Sequence, residues 1–177
     1  MNAPQTGYLL GIGSNLNPQY NIGQIIALLL RHFAQIKLSR VLSIPPIGMN
    51  SHHDFLNVVL FIATDLSETD LKAICNTIET TLGRDRTDPD RKIKDRPADL
   101  DILTKVQFPD DYDRPVNNIT DEYFLYPLLQ ELAAYLSNKQ YSLQQAGVDI
   151  TVDNLRFGQT ATTIYRNAST GNKGIIQ

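Results

Sequence analysis

Neither a Gly-x-x-x-x-Gly-Lys-Ser/Thr phosphate loop nor a glycine-rich dinucleotide fingerprint occurs in this chain of 177 residues. A nucleotide, if one binds, must therefore be held by side chains and metal. Cysteine is almost absent: Cys75 stands alone, which rules out an internal disulfide and suits a reducing compartment. With Ile74 and Ile78 beside it, Cys75 reads as a small core residue rather than a nucleophile. Long apolar runs are missing too. The longest, residues 25–30 and 58–63, fall far below the roughly 20 residues needed to cross a bilayer. No basic segment followed by an apolar stretch opens the sequence, so the expectation is a cytoplasmic protein without a secretory signal and without a membrane partner. Nor is there a positive excess: 16 Lys and Arg against 19 Asp and Glu leave a net charge of -3, which argues against nucleic acid as a partner. A local basic cluster can still bind a small polyphosphate. What is present is ordinary for a globular chain, 42% hydrophobic and 20% charged, and its length suggests one domain over residues 1–177.

The apolar periodicity gives an element order. Residues 8–13 read as a buried strand ending in a Gly-Ser-Asn turn. Ile22, Ile25, Ile26, Leu29, Leu30 and Phe33 recur at helical spacing, predicting a helix over about 20–32. A second strand over 37–44 is halted by Pro45-Pro46, which cannot continue a ladder. A loop with Gly48, Asn50, Ser51, His52 and His53 precedes a long strand over 55–64. Ser67 can cap the next helix, with Asp70 three residues on, and Leu71, Ile74, Ile78 and Leu82 form its apolar stripe until Gly83 ends it. A charge-dense loop over 84–95 leads to a fourth strand over 98–104. The order βαββαβ predicts an α+β, ferredoxin-like fold, an antiparallel sheet with helices packed on it. Residues 108–120 read as a loop and 123–136 as a further helix. Signals beyond 140 are mixed, and 167–177 is expected to fray.

Chemistry concentrates in Arg96-Pro97-Ala98-Asp99-Leu100-Asp101-Ile102-Leu103. On a strand, Asp99 and Asp101 point to one face, roughly 6–7 Å apart, and can hold one or two Mg²⁺ ions with phosphate oxygens completing the coordination. Arg96 would aim a cation at the same phosphates. Taken alone, Asp-x-Asp reads more readily as a solvated strand end than as a metal site. Arg84 and Arg86 follow a helix C-terminus; they would reach a nucleotide, or simply complement the helix dipole and pair with Asp85 or Asp88. Loop 84–96 reads as a self-compensating solvated loop or as a lid closing over polyphosphate. His32, His52 and His53 lack the companions of a metal set.

Four stretches in this order, Tyr8-Leu9-Leu10-Gly11-Ile12-Gly13-Ser14-Asn15-Leu16, Phe55-Leu56-Asn57-Val58-Val59 after Pro45-Pro46-Ile47-Gly48, Ile78-Glu79-Thr80-Thr81-Leu82-Gly83-Arg84-Asp85-Arg86, and the Asp99/Asp101 strand, resemble the 6-hydroxymethyl-7,8-dihydropterin pyrophosphokinase family of folate biosynthesis. The resemblance covers residues 7–104 and thins over a divergent extension, 105–166. It implies transfer of pyrophosphate from MgATP to a hydroxymethylpterin, with ATP and the pterin as small-molecule partners and two Mg²⁺ on Asp99 and Asp101. It implies nucleotide contacts at Glu79, Arg84, Arg86, Arg96, Ile102 and Arg114. Pterin contacts are implied at Pro45, Ile47, Phe55, Asn57 and Tyr123. Read from their own neighbours, Phe55 is as readily a core residue, and Asn57 a bulge or turn hydrogen bond. The chain departs from the family at three places. It has no tryptophan, and Ile93 occupies that position in the lid. The loop before Tyr123 is shortened, with Val116 after Pro115 and Asp121 where an arginine would be. Ile44 replaces a small polar residue before the prolines. A weak or inactive pterin-binding paralogue, a kinase for another pterin, and a ferredoxin-like interaction module are the competing readings.

Overall fold

The computed structural model describes residues 3–49 and 51–176. Its centre is strand β1 (Gln5–Ser14), flanked by β4 (Phe55–Ala63) and β5 (Asp99–Phe108), both antiparallel to it. A strand with partners on both edges and layers on both faces is buried all round. That is why residues 8–12 read as an unbroken apolar run instead of an alternation. Beyond β4 come β2 (Gln35–Leu38), β8 (Thr162–Arg166) and the edge strand β9 (Lys173–Ile176), and the short β3 (Leu42–Ile44) also pairs with β4.

The two faces carry separate cores. Tyr8, Leu10, Ile12, Val58, Leu60 and Leu100 pack beneath α1 (Pro18–Leu29), α2 (Glu68–Thr81) and a hairpin of β6 (Ile150–Val152) and β7 (Leu155–Phe157). Cys75 is fully buried in this core, as its neighbours suggested. Leu9, Val59, Phe61, Val106 and Phe108 face the other way, against α3 (Tyr126–Leu136). Among the described residues the result is a mixed helix and strand architecture with an antiparallel sheet and three α-helices.

Several boundaries differ from the sequence reading. Helix α1 starts two residues early, because Pro18 is favoured in a first turn and Asn17 adopts a left-handed φ of 41° ahead of it. The strand expected over 37–44 is two strands. Between them Ser39 bonds to Val59, the Arg40 amide donates to Glu131 on α3 (2.7 Å), and Val41 pairs with Gly158 and Val148. The backbone leaves one ladder there to satisfy three other partners. Strand β5 runs four residues past its expected end, since Val106, Gln107 and Phe108 pair with Gly7, Thr6 and Gln5. The segment read as a loop over 108–120 contains two 3-10 turns, Asp110–Asp113 and Val116–Asn118, and a third, Tyr123–Leu125, leads into α3. Residues 173–176, within the tail expected to fray, form β9 against β8, where Thr162 Oγ1 also donates to the Ile176 carbonyl (3.0 Å). The α2 signals stand as read. Ser67 Oγ accepts from the Asp70 amide (3.1 Å), and Gly83 takes a φ of 98° just past the helix.

Candidate active site

Sheet register assembles the site. Asp99 pairs with Gly13 and Asp101 with Gly11 across β1, and Asn57 of β4 lies opposite Gly13 on its other side. Asp99, Gly13 and Asn57 thus form one row across three strands, although 42 positions separate Asp99 from Asn57 (99 minus 57). A Cβ on Gly13 would come within 2.9 Å of Asn57 Oδ1 and 3.4 Å of the Phe55 ring, so glycine keeps the middle of the row open. The two ends of the row, Asn57 and Asp99, line a cavity of about 300 Å³. Pro45, Ile47, Phe55 and Phe124 give it apolar walls, while Asn57, Glu122, Arg96 and Asp99 line it with polar groups. Asp101 and Ile102 open onto a second, shallower cleft of about 630 Å³ against Glu68, Lys72 and Asn76 of α2. Asp99 and Asp101, two residues apart, thus border two different spaces.

A buried ionic bracket fixes Asp99. Arg84 Nη1 donates to Asp99 Oδ1 (2.7 Å), and Arg96 Nη1 to Asp99 Oδ2 (2.9 Å). Behind them Glu79, with no exposed surface, accepts from Arg84 Nη1 (2.7 Å), Arg86 Nε (2.9 Å) and the Leu100 amide (3.0 Å). Glu79 was expected to touch a nucleotide; enclosed in this way, it instead aims two arginines and pins β5. The partners read for Arg84 and Arg86, Asp85 and Asp88, are not the ones they take. Arg84 Nε and Arg96 Nε are both buried without an acceptor among the described residues. An unpaired buried donor is costly, and an anion entering the site would satisfy it.

Negative charge accumulates beyond the bracket. Burial, then the neighbouring Asp99 charge, pushes the Asp101 carboxyl above its usual range, with Lys72 pulling the other way. Glu122 is raised by burial and by the charges of Asp101 and Asp99. Burial works to lower the Arg84 guanidinium, but Asp99 and Glu79 outweigh it and raise it overall. No cluster of three or more His, Cys, Asp or Glu at metal-binding distance occurs among the described residues. A cation here would have two protein carboxylates and would need its remaining oxygens from a ligand, which suits Mg²⁺ on a polyphosphate.

A polar clasp invisible to sequence reading anchors the backbone of Arg96, which lines the cavity. Asn15 Oδ1 accepts from the Arg96 amide (2.6 Å), and Asn15 Nδ2 donates to Asp95 Oδ1 (2.9 Å). Asp95 Oδ2 in turn bonds His53 Nδ1 (2.7 Å), whose own amide donates to Ser51 Oγ (3.0 Å). The end of β1, the loop after β3 and the loop before β5 are tied together at one point.

Other expected site residues lie elsewhere. Tyr123 is 62% exposed and packs edge-on against Phe124; Phe124, not Tyr123, lines the cavity. Arg114 donates to the Lys105 carbonyl, Thr104 Oγ1 and the Asn118 carbonyl, stapling its own turn to β5 outside both clefts. Asp121 is exposed, and the carboxylate in the cavity wall is that of its neighbour Glu122. Ile93, 45% exposed, does not reach the cavity, while Lys92 from the same loop does.

Residues 9–134 match the 7,8-dihydro-6-hydroxymethylpterin-pyrophosphokinase family, a span that holds the carboxylate row, both clefts and most of α3. The chain belongs to this family. Among similar pyrophosphokinases is the 2-amino-4-hydroxy-6-hydroxymethyldihydropteridine pyrophosphokinase of Porphyromonas gingivalis, in strains ATCC 33277 and W83. It is 33% identical over 102 residues, covering 56% of this chain and 69% of the relative. The Bacillus subtilis enzyme of the same name is 34% identical over 97 residues, 53% of this chain and 56% of its own. Residues 135–177 lie outside the match to the pyrophosphokinase family.

Proposed function

We propose that this family member transfers pyrophosphate from ATP to the hydroxymethyl group of 6-hydroxymethyl-7,8-dihydropterin, releasing AMP, as a transferase of folate biosynthesis. The observation that carries the reading is the carboxylate pair standing between two unlike spaces. One is an aromatic cavity with an amide in its lining; the other is an open cleft along α2. A flat pterin suits the first: Phe55 and Phe124 offer ring faces, and Asn57 can donate to and accept from the pterin's amide edge. A nucleotide suits the second, with its phosphates reaching Arg84 and Arg96, whose Nε donors lack partners. The strand order β5-β1-β4-β2, with α1 and α2 on one face, is what a ferredoxin-like βαββαβ unit would give.

Asp99 and Asp101 would hold Mg²⁺, which supplies charge neutralisation along the polyphosphate. Asp101 takes part in no ion pair among the described residues, which fits that role, while Asp99 is held by Arg84 and Arg96. The pterin hydroxyl oxygen then bonds to the β-phosphorus while the bond to the α-phosphate oxygen breaks and AMP leaves. A carboxylate of the pair takes the hydroxyl proton, and the two arginines hold the transferred phosphates in line. Phosphoryl chemistry of this kind depends on positioning and charge more than on covalent steps.

A coupled assay of AMP release with MgATP and the hydroxymethyldihydropterin tests the reading. Stoichiometric AMP and pterin diphosphate are the expected products. Pterin binding without AMP would select the inactive paralogue instead.

A further inference from the structure

Lys72 lies on α2 one turn after Glu68 and one turn before Asn76, and all three line the cleft that Asp101 and Ile102 close from β5. Among the described residues Lys72 takes part in no ion pair, whereas Lys94 and Lys173 both do. Glu68 shares its helix face at the spacing that favours pairing, yet the two do not pair. In the same lining, Asn76 Oδ1 is shut from solvent without a hydrogen bond. Lys72 and Asp101 face the same cleft from α2 and β5. Meanwhile the loop before α3 brings a carboxylate, Glu122, into the cavity that Asp99 lines, and Arg114 is committed to backbone carbonyls. The loop before α3 therefore adds no cation to either cleft, and an unpaired one stands on the α2 side.

We infer that Lys72 binds the phosphates of the nucleotide in the α2 cleft, supplying positive charge that the loop before α3 does not. The inference rests on the pyrophosphokinase reading for the identity of the ligand, but not for the presence of the cation. Lysine suits the role: a compact charge on a flexible stem follows a polyphosphate without demanding one geometry. It also adds a cation in the cleft that Asp101 borders, whereas Arg84 is engaged at Asp99.

The test is titration of the full-length protein with the Mg²⁺ complex of a non-hydrolysable ATP analogue, alongside steady-state kinetics. Lys72→Met should weaken nucleotide binding and raise the KM for ATP about tenfold or more, the scale of one charge-assisted contact. The KM for the pterin and the kcat should change little, and Lys72→Arg should restore most of the loss. Binding of the analogue to wild type should fall with added salt more steeply than binding to Lys72→Met. If Lys72→Met binds the analogue as tightly as wild type, Lys72 is only a solvated helix residue and the inference fails alone. If wild-type protein binds no analogue at all, the inference and the pyrophosphokinase reading fall together.

Discussion

Asp101 combines two demands that oppose each other. Its carboxyl is partly buried beside Asp99, and both burial and that charge make ionisation unfavourable in the free protein. Replacing it with asparagine removes the repulsion while keeping the shape. Asp101→Asn should therefore raise the melting temperature of the metal-free protein and yet lower turnover on the order of 10²-fold or more, the scale of losing one transition-state charge contact. Calorimetry and the AMP assay together check this; a mutant neither more stable nor less active would remove Asp101 from the chemistry. The pair itself was legible in the sequence because i and i+2 on a strand is a local relation. Asn57 was legible for a similar reason, being a polar residue in an apolar run. Asn15 with Asp95, 80 positions apart, left no local trace, and only the folded register joins them. Glu79 was found but misread: its spacing from Arg84 was visible, whereas its complete burial is a property of the packed molecule.

At the level of elements, two polar joints hold segments that the hydrophobic pattern alone would leave loose. Glu131 on α3 receives the Arg40 amide and Arg40 Nε, both at 2.7 Å, while the same guanidinium donates to the carbonyls of Leu143 and Gln145. Both side chains are largely shielded, at 12% and 7% exposure. Glu131→Ala leaves the Arg40 amide unpaired and its shielded guanidinium without a counter-charge, and should cost roughly 3–5 kcal/mol in urea unfolding. The break between β2 and β3 could not be foreseen, because its partner lies 91 residues away. The second joint is the clasp at the Arg96 backbone. The Ser51 hydroxyl, then His53 and Asn15, hold the Asp95 carboxyl below its usual range. A depressed carboxyl contributes stability that is present above its ordinary pKa and is lost as pH falls through the lowered one. The clasp should thus persist from neutral pH through the mildly acidic range and open only under stronger acid. An NMR titration of the Asp95 side chain should show this depressed midpoint. Asp95→Ala at neutral pH should speed amide exchange across residues 92–97; unchanged exchange would mean the loop is held by other contacts.

For the molecule as a whole, the sheet reaches well beyond the segments that carry chemistry. Strand β8 pairs with β2 through residues 162–165, and Ile164 is fully buried in the core shared with α1. The hairpin β6–β7 packs on the same helix, where a Cβ on Gly23 would approach Val152 at 3.0 Å. A chain ended at residue 160 would strip the outer edge of β2 and uncover Ile36. It should unfold at a markedly lower urea concentration, although no residue lining either cleft is removed. The central strands and their helices were readable from periodicity, since each carries an apolar stripe of ordinary length. The outer strands were not. They are three to five residues long, and their pairing with distant segments, rather than their own composition, makes them strands.

The lone thiol turns the α2 face into a built-in recorder of motion. Cys75 has no exposed surface, and burial, aided by Glu79 and Asp101 against Lys72, pushes its thiol up to about 11. At neutral pH only about one molecule in ten thousand carries the reactive thiolate, and that one is sealed from reagent. Labelling by a disulfide reagent must wait for α2 to lift, so its rate measures how often that helix opens. Since α2 also forms one wall of the cleft proposed for the nucleotide, a ligand there should slow the reaction in proportion to its occupancy, whereas a ligand confined to the aromatic cavity should slow it less. A single untouched side chain would then tell the two compartments apart, with no label introduced and no turnover required.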